Sequence, residues 1–206
     1  MTPRPFDEEG HDRGLEQDGN HGLGGRRDLD GSKGLYHGPV HDIAILGMMV
    51  AILEVSKRLL DGVPNVELIT FLFIMFTRAY GKKTLIATFA FTALETVYWG
   101  PHSWVIMYLY LWPLLVLTVD WLHRREKTKE SWHLVYSILS AVYGLSFGFL
   151  CSIVYLVIGG PVMMITWWIA GIPYDIIHCV SNFFICLILY RPADYALSLV
   201  KRIART

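Results

Sequence analysis

Between His133 and Tyr190 the chain carries no lysine, arginine or glutamate, and its one carboxylate is Asp175. Two apolar runs of that length are too long to be buried in the core of a small soluble domain. A bilayer core about 30 Å thick is crossed by roughly 20 helical residues. Four further apolar runs precede them, so six spans are drawn: Ile43–Leu60, Val66–Tyr80, Thr84–Trp99, Ser103–Leu122, His133–Ile158 and Met163–Tyr190. The second and third are short, and the last two are long enough to tilt or protrude. The expected fold is an all-α membrane protein, a bundle of six transmembrane helices in residues 41–206.

Residues 1–40 differ in kind. They are rich in Gly, Asp, Glu, Arg and His and nearly free of aliphatic side chains, so a disordered polar N-terminal tail is expected rather than a domain. No apolar stretch follows a basic start, which argues against a secretory leader. His11, His21, His37 and His41 are spaced irregularly and lack cysteine neighbours, so a solvated tail explains them better than a metal site. Cys151, Cys179 and Cys186 lie within apolar runs without metal-type spacing. A formal net charge of zero gives no basis for nucleic-acid binding.

Basic residues alternate between the loops. Arg78, Lys82 and Lys83 join spans two and three; Arg124, Arg125, Lys127 and Lys129 join four and five; Arg191, Lys201, Arg202 and Arg205 follow span six. The Pro101-His102 and Gly159-Gly160-Pro161 connections have no base. The positive-inside rule then sets both termini in the cytoplasm, and a multi-pass protein of the plasma membrane is expected. Lys57, Arg58, Asp61 and Glu67 depart from that pattern at the first outward loop. Two readings stay open: bases that snorkel to the interface, or a polar rim over an outward-facing site.

Asp175, His178 and Asn182 follow i, i+3, i+7 spacing and share one stripe of a helix. Acids within apolar spans are costly and usually face a bundle interior or a wet cavity. The orientation puts this stripe in the outer half of the bundle. Glu95, Tyr98 and Trp99 end the third span nearby, and Tyr108 and Trp112 lie early in the fourth. Trp168 stands just ahead of the stripe, and Asn65 and Glu67 at the entry to the second span; Trp99, Trp104, Trp167 and Trp168 each suit an interfacial aromatic belt better than a ligand contact. The Gly171-Ile172-Pro173 segment is expected to break the helix immediately above Asp175 and expose backbone dipoles. Ala44, Gly47 and Ala51 give the first span a small-residue face suited to close helix approach.

The segments Val63-Pro64-Asn65-Val66-Glu67-Leu68, Glu95-Thr96-Val97-Tyr98-Trp99-Gly100, Tyr108-Leu109-Tyr110-Leu111-Trp112-Pro113 and Gly171-Ile172-Pro173-Tyr174-Asp175-Ile176-Ile177-His178 carry a family resemblance. With six spans and a small-residue first helix, residues 43–203 resemble the substrate-binding S component of energy-coupling factor (ECF) vitamin transporters. The resemblance implies a non-enzymatic subunit that binds a vitamin or cofactor precursor on the outer side. Its substrate-binding residues would come from Asn65, Glu67, Glu95, Tyr98, Trp99, Tyr108, Trp112, Trp168, Asp175, His178 and Asn182. It also implies a transmembrane coupling subunit docking on Ala44, Gly47 and Ala51, where Met48 and Val55 depart from a run of small residues. Two cytoplasmic ATPase subunits would supply ATP hydrolysis, since this chain has no phosphate loop of its own. The Pro-Asn-x-Glu-Leu and Glu-x-x-Tyr-Trp-Gly segments resemble those of members that take cobalamin or related precursors. No cofactor or metal is expected in the chain itself.

Three other classes compete, one of them a structural or assembly membrane protein without a ligand. A proton-coupled secondary carrier working alone predicts an inverted repeat, which the polar positions of the spans do not display. An intramembrane enzyme using Glu95, Asp175 and His178 lacks the two or three histidines and fixed spacing of zinc sites.

Overall fold

The computed structural model describes residues 39–63, 65–126 and 132–203. Most of the polar N-terminal stretch, Pro64, Lys127, Lys129 and Arg205 lie outside the described residues. Within them the chain is all helical, without strands. In order come α1 (Pro39–Leu60), α2 (Ile69–Tyr80), a 3-10 turn (Gly81–Lys83), α3 (Thr84–Trp99), α4 (Ser103–His123) and α5 (Trp132–Ile203). Two of these, α4 and α5, are long and apolar enough to cross a membrane. Helix α1 begins at Pro39, two residues inside the stretch expected to be tail, because proline's fixed φ suits the first helical position.

Glycine ends the shorter helices. Gly81 (φ 59°) returns its N–H to the Thr77 carbonyl after α2, and Gly100 (φ 82°) does the same to Thr96 after α3. Both conformations favour a residue without Cβ. Along α3, Thr84, Thr88, Thr92 and Thr96 recur at four-residue spacing. The hydroxyls of Thr88, Thr92 and Thr96 donate to carbonyls in the preceding turn, so these three polar side chains are satisfied within the helix.

Helix α5 is a hairpin. Gly160 alone has non-helical angles (φ 78°, ψ −174°), a region open essentially only to glycine, and it divides the run into arms 132–159 and 161–203. Tyr136 meets Tyr190, Gly148 meets Asp175, and Tyr155 stacks on Trp167. As one partner's number rises the other's falls by nearly the same amount, the mark of antiparallel arms. The expected break at Pro173 is absent: the second arm stays helical through it, with Ile172, Pro173 and Tyr174 on the exposed side. Proline there leaves one carbonyl unpaired without opening the helix, whereas Gly160 supplies a backbone state no other residue readily adopts.

The arms approach closely because the first presents Ser140, Gly144, Gly148 and Ser152, one small residue per turn. A Cβ at Gly144 would lie 2.7 Å from the His178 carbonyl oxygen, and one at Gly148 would lie 2.3 Å from Asp175 Oδ2. Small residues every fourth position are how apolar helices gain contact without a hydrophobic driving force between them.

Polarity is inverted relative to a water-soluble globule. Glu95, Asp175, His178, Asn182, Ser137, Ser140 and Ser152 are buried, while Val97, Val157 and Val162 are among many large apolar side chains left open. Soluble proteins bury their valines and almost never bury unpaired acids. Phe73, Phe91, Leu111, Leu115 and Tyr136 nonetheless form one apolar core linking the helices.

Candidate functional site

The loop before α2 turns inward. Asn65 sits in left-handed conformation (φ 59°), and its carbonyl accepts a hydrogen bond from the Ser181 hydroxyl at 3.0 Å. Ser181 lies midway along the second arm of α5, so the half-buried non-helical backbone here is tied to a helix. In apolar surroundings irregular backbone is tolerated only when protein or a wet cavity covers it. The inward turn also explains the shortness of α2: its 12 residues extend only about 18 Å at 1.5 Å each.

Glu67 follows and becomes the hub of the site. Its Oε2 accepts the Thr70 N–H at 3.0 Å, capping an otherwise orphaned donor at the start of α2. Its Oε1 accepts the Thr70 hydroxyl at 2.5 Å and the Asn182 amide at 3.3 Å, and lies 3.1 Å from His178 Nε2. Two of the three stripe residues therefore converge on one carboxylate. Asp175, the third, turns to the other arm, where its Oδ1 accepts the Gly148 N–H at 2.8 Å.

Glu95 does not face this stripe. It is 0% exposed and its carboxylate is held by Lys57 and by Arg58, the latter at 2.9 Å. Both bases reach Glu95 from the end of α1, and Arg58 also pairs with Glu54 (3.1 Å) and with Asp61 (3.7 Å), the acid expected to offset it. Lys57 lies 3.2 Å from the Tyr108 hydroxyl and 4.7 Å from the centre of the Trp104 ring. Arg58 stacks 3.9 Å over Tyr98, with Trp99 at 5.7 Å. Planar guanidinium on an aromatic face adds to the ion pair.

Aromatic rings connect the two groups. Trp104 meets Tyr108 (5.7 Å), Tyr108 meets Trp112 (5.3 Å), Trp112 meets Phe147 (6.4 Å), and Phe147 meets His178 (4.7 Å between ring centres). Of the residues singled out in the sequence, Asn65, Glu67, Asp175, His178 and Asn182 form one cluster. Glu95, Tyr98, Trp99 and Tyr108 form the other, and Trp112 lies between. Trp168 belongs to neither: it packs edge-on against Phe149 on an exposed face. The sequence reading did not single out Gly144, Gly148 or Phe147. The Gly144-x-x-x-Gly148 spacing was a legible signal for the first two, while nothing local marked Phe147.

Gly47 and Ala51 line an apolar groove of about 600 Å³ between α1 and α3, completed by Val50, Ala90, Ala93 and Val97. Ala44 is exposed on the same helix without lining the groove. At the opposite end of the molecule from Glu95, Arg78 joins three segments. It pairs with Glu126 after α4 (3.0 Å) and with Asp194 in the second arm of α5 (2.7 Å), beside the rings of Tyr136 and Tyr190. No family model, curated protein or solved structure matches the chain.

Proposed function

We propose that this chain is a multi-pass plasma-membrane protein that binds a small molecule, the substrate-binding subunit of an ECF-type importer for a vitamin or cofactor precursor. In this reading α1 to α4 and the two arms of α5 make six passes with both ends in the cytoplasm. Lys82, Lys83, Arg124 and Arg125 would then lie on the cytoplasmic side, and the Glu95 cluster toward the outside. The observation that carries the reading is the loop returning to bundle depth so that Glu67 meets His178 and Asn182. Burying polar backbone and two acids near an aromatic wall costs stability, and such features in apolar surroundings mark substrate pathways by default.

The groove at Gly47 and Ala51 supports docking of a transmembrane coupling subunit, with ATP consumed by two cytoplasmic partners. Two helices contribute to it, which gives a partner helix a concave seat instead of a flat stripe. The competing proton-coupled carrier would move substrate without such partners.

Native mass spectrometry of the full chain, extracted in mild detergent, tests the proposal. A bound small molecule and companion subunits should appear together. Replacing His178 or Asn182 with alanine should weaken retention of that molecule roughly tenfold, the scale of one hydrogen bond to a charged group, without loss of membrane insertion. Uptake into proteoliposomes driven by a proton gradient, with this chain alone, would instead establish the carrier.

A further inference from the structure

The geometry points to a binding site for an anionic phospholipid on the exposed face of α4, with the headgroup on Arg125 and the acyl chains along Leu114 and Leu117; this rests on the membrane-spanning part of the reading above. Leu114, Leu117 and Trp121 follow three- and four-residue spacing, so they share one stripe of the helix. All three are open, at 46%, 45% and 52% of their surface. Arg125 lies in the turn just past the helix and is exposed as well. Its guanidinium folds back to sit 3.9 Å over the centre of the Trp121 ring. The stripe thus has a direction: apolar for two turns, then an indole, then a fixed positive charge. A phospholipid runs in the same order, from acyl chain through the interface to the phosphate, and tryptophan favours that interface.

Charge singles out Arg125 from the other bases. Lys57, Arg58, Arg78, Lys83 and Arg124 each hold a carboxylate. Of the two acids that flank Arg125 among the described residues, Asp120 is taken by Arg124 at 3.0 Å, and Glu126 by Arg78 and His123. Arg125 therefore keeps its charge with no carboxylate partner among the described residues. The indole covers a flat face of the guanidinium, and the N–H groups along its edge are the ones that take a phosphate bidentately. Lys82 adds a second uncommitted charge at this end of α4. It is exposed in the 3-10 turn, which meets the helix where a Cβ at Gly81 would lie 3.7 Å from Asp120 Oδ1. Juxtamembrane bases of this kind attract anionic lipid in the cytoplasmic leaflet. An acidic protein would use the charge alone, whereas a phospholipid also covers the apolar stripe that leads to it.

The test uses the full chain in mild detergent, read by native mass spectrometry against two lipids with the same acyl chains, phosphatidylglycerol and phosphatidylcholine. The anionic lipid should be retained about fivefold more tightly, the scale of one base beside an anionic headgroup. Arg125→Gln should bring the two lipids near parity, and Trp121→Ala should weaken retention of phosphatidylglycerol. Arg191→Gln removes an equal charge from an exposed position with no ring beneath it, and should leave the preference intact. Equal retention of both lipids by the unmodified chain would overturn the inference, as would a preference that survives Arg125→Gln. Equal losses from Arg191→Gln and Arg125→Gln would replace the site with diffuse charge. Soluble glycerol phosphate displacing the lipid as readily as short-chain phosphatidylglycerol does would remove the acyl stripe from the site. An acidic membrane protein held through Arg125 in place of lipid would also sink the proposal. A chain that retains anionic lipid but brings no small molecule or companion subunit keeps this site and loses the importer. A chain that stays in solution without detergent or lipid removes both.

Discussion

Gly148 and Asp175 are in contact across the α5 hairpin: the glycine N–H donates to Oδ1 at 2.8 Å, and the carboxylate occupies the space a side chain at 148 would need. The acid is thereby both buried and partly satisfied. Its position depends on the absence of one methyl group 27 residues earlier in the chain.

Gly148→Ala should therefore destabilise the protein although alanine is the better helix former. Overpacking typically costs about 1–3 kcal/mol, more than the roughly 1 kcal/mol gained in propensity. A thermal melt in detergent checks the net loss. Adding Asp175→Ala to Gly148→Ala should recover part of it, and strict additivity of the two changes would show that the contact carries no energy.

Removing the charge of Glu95 takes from Lys57 its carboxylate partner, while Arg58 keeps Glu54 at 3.1 Å and Asp61 at 3.7 Å. Glu95→Gln is expected to cost about 3 kcal/mol, because Lys57 would remain turned inward without a counter-charge. The double change Glu95→Leu, Lys57→Met, which leaves Arg58 paired with Glu54, should be far milder than Glu95→Gln alone. Equal losses in apparent melting temperature for both would refute the ion cluster as their cause.

Gly160 and Gly47 make a matched pair of substitutions. Gly160→Ala forces a side chain into a backbone state worth about 1–3 kcal/mol of strain, and it should lower the melting temperature and loosen the hairpin. Gly47→Ala meets nothing within 4 Å and should be neutral or slightly stabilising. Cysteine cross-linking across the arms would report the loosening directly.

The groove between α1 and α3 predicts a separation of functions. Gly47→Leu or Ala51→Leu fills it, and should abolish co-purification with a coupling subunit while leaving ligand affinity within about twofold, since neither residue approaches Glu67 or His178. Retained co-purification with both substitutions in place would assign docking to another surface.

Helical class and the number of apolar runs were legible in the sequence because both follow from local composition and period. So was the clustering of part of the site: Asp175, His178 and Asn182 share a face through helix geometry alone. Glu67 also stood out, as one of the charged residues at the first outward loop and the entry to the second span. Its partnership with His178, 111 residues away, was not legible, since it depends on a loop folding inward rather than passing over the surface. For the same reason Lys57 and Arg58 were ambiguous: a base near a helix end can turn outward or inward, and only the position of Glu95 decides which.

What the sequence determined by itself was the material: apolar helices, their glycine stops, and which side chains are too costly to leave in an apolar environment. Only the tertiary structure decided how those costs are met. It separated Glu95 from the stripe by giving it two bases from α1, and it kept the helix continuous through Pro173, leaving the expected connection at Gly160 as the one interruption of α5. It also left Trp168 outside the site. Each outcome depends on contacts between residues distant in sequence, and the free energy of such contacts is set by burial and geometry that no local pattern contains.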